Sequence, residues 1–382
     1  MVATSPISRV IDVHPIELSR SGGLTRIPPR AAEEQQADYL DKFDRHLLLA
    51  DIVNTPDGLI GIGPPLLNLQ QHLPAAPVRL DGSLTPSGLD IEPLTRMTRF
   101  RFPGTSGRQI ASVEVQIGDD AYRASVSPVH YDLFRGLNVL ATQQKDNDLA
   151  NIHDWVEIHA RVNAVDAVLI YDNASLTYTA EQLLETLAGV PGIKVAVVVR
   201  WPHKWGPTGG PAGKWDSDYG QYQSWEHMRW RFLQEARTVL LSDVDEIALI
   251  DDGRTCADAA LDSPNGVAYY RMRDIVAFAV APDAAHRTRR HADFNYSFPN
   301  VLKNWKYTYV PSRLRPEQQV RVHDVTGAPT PAEAIGYCRH FLGIHRNWRR
   351  GTNAYTYTLL NGVPDGAEAD LRLAEALGQT LS

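Results

Sequence analysis

From about residue 136 the apolar positions fall into alternating strand and helix patterns. Leu137–Thr142, Ala167–Tyr171, Ile193–Val199 and Thr238–Ser242 are short apolar runs that read as strands. Between them, Leu149–Val162 places Ile152, Trp155, Val156 and His159 on one stripe, which predicts a helix. Ala180–Leu187 and Gln221–Ala236 predict two more helices. Repeated βα units imply an α/β fold with a mainly parallel sheet, whose ligands bind beyond the carboxyl ends of the strands. Asp172, Arg200 and Asp243 all fall at such ends.

Upstream the period shifts to two. Val113, Val115 and Ile117 alternate with polar residues, Gly118-Asp119-Asp120 turns the chain, and Ala121–Val126 returns it as a hairpin. The pattern thus divides the chain into four parts: an extended leader over 1–35, rich in Ser, Pro, Arg and Gly; a β-rich accessory region over 36–135; an α/β domain over 136–360; and a helical tail over 361–382.

The strand Thr238–Ser242 runs directly into Asp243-Val244-Asp245-Glu246. Strand side chains alternate faces, so Asp243 and Asp245 project to the same side just past the sheet. Two carboxylates there form a hard-oxygen site for one Mn²⁺ or Mg²⁺, and such a cation clamps a diphosphate. Between residues 203 and 219 a Gly/Pro-rich loop carries Trp205 and Trp215. It reads either as a lid that stacks on a sugar ring or as an excursion whose tryptophans pack back on the domain.

Composition narrows the function classes. The 382 residues are 43% hydrophobic and 22% charged, ordinary values for a globular chain with a sizeable core. A net charge of −7 argues against a nucleic-acid binder. Cys256 and Cys338 make neither a disulfide framework nor a zinc site. The N-terminus lacks the apolar core of a signal peptide, and no run reaches the ~18 apolar residues of a membrane span. A cytoplasmic protein without a transmembrane segment is expected, with peripheral membrane contact left open.

Taken together the motifs resemble the glycosyltransferase family 92 group and its bacterial relatives. The resemblance rests on Asn147-Asp148, Asp154-Trp155-Val156-Glu157-Ile158-His159, Tyr171-Asp172-Asn173-Ala174-Ser175 and Asp243-Val244-Asp245-Glu246-Ile247. It continues through Lys306–Pro311 with His323, and closes on Arg339-His340-Phe341 with Asn347, Trp348 and Arg350. It spans roughly residues 137–355 in order, and residues 1–130 lie outside it. Lys145 stands one place from the family lysine, with Asp146 at the matching position, and Ile247 replaces an aromatic residue.

The resemblance implies a GT-A nucleotide-binding fold. It implies transfer of a sugar from a nucleotide-sugar, with UDP as the nucleotide, to a glycan or other hydroxyl acceptor with inversion. The metal would be held by Asp245 with Asp243 assisting. His340 is the expected third ligand, ahead of His323 and His345. The nucleotide would meet Asn147, Asp148, Asp172, Asn173, Arg200, Asp243, Asn347, Trp348 and Arg350. Asp148 has a competing role as the cap of the helix that follows. Arg346, Arg349 and Arg350 are candidates to neutralise the diphosphate. Inversion needs a general base for the acceptor hydroxyl; Asp274 is the candidate and Asp293 the alternative.

Two other readings share these features. A haloacid dehalogenase-type phosphatase or phosphotransferase also sets Asp-x-Asp after an apolar strand, with the first Asp as nucleophile. That family places the motif on its first strand, whereas here βα units precede it. A carbohydrate-binding protein without turnover is the non-enzymatic reading.

Overall fold

A computed structural model describes residues 6–74, 76–85, 88–209, 218–277, 289–341, 344 and 365–378. Its centre is a large mixed sheet, with the strands numbered here along the chain. They are β1 (Ile7–Ile11), β2 (Asn138–Gln144), β3 (Ala167–Asp172), β4 (Val195–Arg200), β5 (Thr238–Leu241), β6 (Glu246–Ile250), β7 (Val267–Ala277), β8 (Phe294–Tyr309), β9 (Gly336–Phe341) and β10 (Glu368–Ala369). The spatial order is β1-β4-β3-β2-β5-β8-β7-β9-β6, with β10 paired to β8. The first five strands in this order run parallel. Beyond β5 the sheet is mixed, with β8 antiparallel to β5 and β7, β9 parallel to β7, and β6 antiparallel to β9.

The expected α/β alternation is present: α1 (Leu149–Asn163), α2 (Ala180–Ala188), α3 (Tyr219–Arg231), α4 (Cys256–Asp262) and α5 (Leu371–Ala376) accompany the strands. Along β2 and β3 successive side chains serve opposite cores. Leu140, Val168 and Ile170 pack with Ile152, Trp155 and Leu183 of α1 and α2. Val139, Ala141, Leu169 and Tyr171 pack with Trp225, Met228 and Phe232 on the other face. Burial on both faces explains why these strands read as continuous apolar runs. α2 starts at a Thr179/Gln182 capping box.

The hairpin expected upstream is Ser112–Ile117 paired antiparallel with Asp120–Ser125. A separate five-stranded sheet orders Ser127–Pro128, Asp51–Thr55, Gly58–Gly63, Met97–Arg101 and Asp90–Leu94. The leader is not merely extended. Ile7–Ile11 joins the large sheet as an edge strand in parallel register with Val195–Val199. The tail contributes one short helix, α5, and the strand β10.

α3 is buried along its whole length although half of it is polar. It lies between the large sheet and the accessory region, and both sides supply partners. Arg99 pairs with Glu226, while Asp51 accepts from His227 at 2.9 Å and Arg231 at 3.0 Å. The accessory region is therefore joined to the α/β part through buried charge.

Buried histidines, His159 and His203 among them, set an acid limit on stability. Burial lowers His159 and His203 to about 4. His159 donates to the Glu246 carbonyl and accepts from Asn163, and His203 donates to the Ala50 carbonyl. The unfolded chain takes up protons at these rings near pH 6.5, whereas the folded chain does not until about pH 4. Stability is thus expected to fall between those values, by about 2 kcal/mol per histidine at pH 5. Denaturant unfolding at pH 7.5 and 5 checks this: His203→Gln should show a smaller drop than the parent, and an equal drop would refute it.

Candidate active site

Register builds the site. Gln144, Asp172 and Arg200 lie in one row across the carboxyl edge of β2, β3 and β4. β5 ends beside them at Leu241, opposite Tyr307 of β8, so the next residue on β8, Lys306, faces the acidic turn. On the far side Asp274 of β7 is in register with His340 of β9, and His340 with Glu246 of β6. Residues distant in sequence thus meet through strand pairing.

The turn 243–246 is held from several sides. Its Glu246 carbonyl accepts from Trp155 Nε1 at 3.1 Å, His159 Nε2 at 3.2 Å and Ser242 Oγ at 3.1 Å. His291 donates from Nε2 to the Val244 carbonyl at 2.9 Å, and the Phe341 amide donates to the Asp245 carbonyl at 2.7 Å. The motif's side chains are fixed by a backbone that cannot shift without breaking these bonds.

The two aspartates differ in role. Lys306 Nζ lies 2.9 Å from Asp243 Oδ2 and 2.9 Å from Glu246 Oε2. Gln221 donates to Asp243 Oδ1 at 3.3 Å, and Glu246 Oε2 also accepts from the Asp243 amide at 2.9 Å. Burial pushes the Glu246 carboxyl up to about 7, against the opposing pull of Lys306. Burial alone would lower Lys306, but Asp243 and Glu246 outweigh it and hold the ammonium well above its ordinary range.

Asp245 instead faces His340, with Nε2 3.4 Å from its Oδ2. The other ring nitrogen, Nδ1, lies 2.9 Å from Asp274 Oδ1, and Lys303 Nζ lies 2.5 Å from Asp274 Oδ2. Burial alone would lower His340; Asp245 and Asp274 outweigh it and raise the ring to about 10. Arg339, next to His340, is clamped by Asp370 at 3.0 and 3.1 Å, so the C-terminal segment steadies β9. The side chains of Asp243, Asp245 and Glu246 are close enough together to hold one cation.

Other expected residues divide. Asp172 and Arg200 line a cavity of about 460 Å³ with Tyr178 and Trp201. Within it Asp172 Oδ1 accepts from Gln144 at 2.7 Å and Ser175 Oγ at 2.5 Å, and burial raises its carboxyl. Arg200 is paired with Asp12 and Glu181. Asn173 has a structural task, donating to the carbonyls of Trp201 and His203 at 2.8 and 2.7 Å. Asn147 is buried against Gln144, and Asp148 occupies the N-cap of α1 without a side-chain capping bond. His323 donates from Nδ1 to the Trp305 carbonyl, and burial lowers it to about 4. Trp205 is buried with its indole on Asp218. Trp215, His345, Arg346, Asn347, Trp348, Arg349 and Arg350 lie outside the described residues.

The residue expected as general base, Asp274, is engaged by two cations. Both oxygens of Asp274 are engaged, by His340 and Lys303. Burial would raise its pKa, but these two partners outweigh that and hold it below the usual carboxylate range. Asp293 closes a one-turn helix, accepting from the Arg290 amide at 2.9 Å.

Sequence reasoning gave no role to Lys306, Lys303, Gln221 or His291. Lys306 carried a signal, a lone lysine inside the aromatic strand Trp305-Lys306-Tyr307-Thr308-Tyr309. The others act only through pairing that the sequence does not show. No family model matches the chain, and no curated protein matches it.

Proposed function

We propose that this chain is a metal-dependent glycosyltransferase of the GT-A type. It would move a sugar from a nucleotide-sugar, with UDP as the nucleotide, to a hydroxyl of a glycan or small-molecule acceptor. One observation carries the reading. Asp245 and His340 converge at 3.4 Å beyond the end of β5, and Asp274 holds the second ring nitrogen of His340. A carboxylate behind a histidine is the arrangement that fixes a ligating imidazole. The donor set, carboxylate oxygen plus oriented imidazole, fits Mn²⁺, and Mg²⁺ less closely because of the nitrogen.

When bound, the cation would supply Lewis-acid neutralisation of the diphosphate leaving group. Asp245 and His340 would hold it, and Asp274 would keep Nε2 turned toward it. Asp243, tied to Lys306 and Gln221, sets the turn and lies close enough to Asp245 to assist at the metal. The cavity beside Asp172 lies two strands from β5 on the same sheet edge, within reach of a nucleoside whose diphosphate sits at Asp245. The haloacid dehalogenase-type reading requires Asp243 as an open nucleophile, and its two oxygens are already engaged.

Calorimetric titration with UDP, GDP and their sugars, with and without Mn²⁺, tests the proposal. One nucleotide should bind at least about tenfold more tightly with Mn²⁺ than in EDTA. Asp245→Ala should lose that binding, and Asp274→Asn should weaken Mn²⁺ affinity about 10- to 100-fold. Equal nucleotide affinity in the presence of Mn²⁺ and of EDTA would sink it.

A further inference from the structure

Two cavities flank the turn after β3, and their charges are opposite. Ala174, in the left-handed region at φ 55°, and Pro202 line both. The larger cavity, at the β1 and β4 side, carries Asp12, Asp172 and Glu181 against Arg200. The smaller, about 260 Å³, carries Lys42, Lys145 and Lys204, with Asp41 as its one carboxylate. These lysines come from three places: the segment before Phe43, the turn after β2 and the loop after β4.

From the structure we infer that this basic cavity is a phosphate-binding subsite that works without a metal ion. Three lysines on separate segments line one space, with Asp41 the one carboxylate in that lining and Asp38 beside it on Lys42. Lys42 is paired with Asp38 at 2.7 Å. Lys204 donates to the Phe43 carbonyl at 3.3 Å, a neutral partner that leaves its charge uncompensated. The walls are rigid. Asn173 ties the Trp201 and His203 carbonyls together, and the Gly220 amide holds the Trp205 carbonyl at 2.8 Å. On the opposite side Arg30 and Gln36 bind the Thr208 carbonyl at 3.0 and 3.1 Å, fixing the leader against this loop. A fixed concave wall bearing several lysines suits a phosphate group, which an ammonium binds as a point charge. The volume leaves room for a sugar or diphosphate attached to it. The subsite goes beyond the transferase reading, because it requires neither metal nor transfer.

The test is titration of the full chain with inorganic pyrophosphate in EDTA. The parent should bind at one site. Lys145→Gln/Lys204→Gln, which removes two of the three charges at solvent-accessible positions, should bind at least about tenfold more weakly. Asp245→Ala should bind pyrophosphate as the parent does, even though it loses Mn²⁺-dependent nucleotide binding, so the two proposals fail separately. Competition by UDP in EDTA would assign the subsite to the donor diphosphate. Competition by glucose 1-phosphate but not UDP would assign it to a phosphorylated acceptor. No metal-free binding by the parent, or parent-like affinity in the double lysine variant, would overturn the inference.

Discussion

Lys306→Met should destabilise the protein by about 3–5 kcal/mol, the cost of removing one partner from a buried ion network. Lys306 is fully buried and holds Asp243 and Glu246 together at 2.9 Å each. Methionine fills similar space but leaves two carboxylates facing each other without a counter-charge. Glu246 pays most of the penalty, since it is almost fully buried while Asp243 is 29% exposed. The effect should therefore be partly reversed in the double variant Lys306→Met/Glu246→Gln, which deletes the second buried charge as well. Urea unfolding of the parent, both single variants and the double variant closes the cycle. A double variant no more stable than Lys306→Met would mean that the loss comes from packing against the aromatic strand instead. Activity should fall together with stability in the single variant, because Asp243 loses the contact that sets its side chain.

How much of this was legible depended on whether a feature was local. The strands β2 to β5 and helices α1 and α2 follow from runs and stripes that two-sided burial imposes on the sequence itself. Asp243 and Asp245 were legible for the same reason, as alternation places them. His340 was found only through the resemblance, and its environment was not visible. That Asp274 stands behind it follows from β7 and β9 being parallel neighbours in one register, a choice made over more than sixty residues of chain. The same register places Asp274, the residue expected as base, against the His340 ring. β1 was missed because five residues next to a Pro- and Gly-rich stretch carry little signal alone; the β4 edge gives them a partner. α3 was legible as a helix over Gln221–Ala236, though it ends at Arg231; its complete burial was not, because that depends on charges supplied by Arg99 and Asp51 from the accessory region.

That dependence carries the second large expectation. Asp51→Asn should cost about 3–5 kcal/mol, because Arg231 then remains buried with its carboxylate partner gone. Asp51 is inaccessible and accepts from His227 Nε2 at 2.9 Å, Arg231 Nη1 at 3.0 Å, Ser127 Oγ at 2.9 Å and the His14 amide at 3.2 Å. Burial would raise its pKa, and these donors outweigh burial and hold it below the ordinary value. Tyr171 of β3 completes the chain, donating to His227 Nδ1 at 2.6 Å. Asparagine keeps one accepting oxygen and donates from the other position where a carboxylate accepted, so it cannot restore the set. The network runs from the accessory strand Asp51–Thr55 through α3 to the centre of the large sheet. Loss of Asp51 should therefore lower the stability of both regions together, as one transition at a lower midpoint. Thermal unfolding followed by tryptophan fluorescence and by far-ultraviolet circular dichroism measures this. Coincident curves displaced by the variant are expected. Two separated transitions, with only one displaced, would show that the accessory region folds on its own and that the buried charges do not couple it to the site.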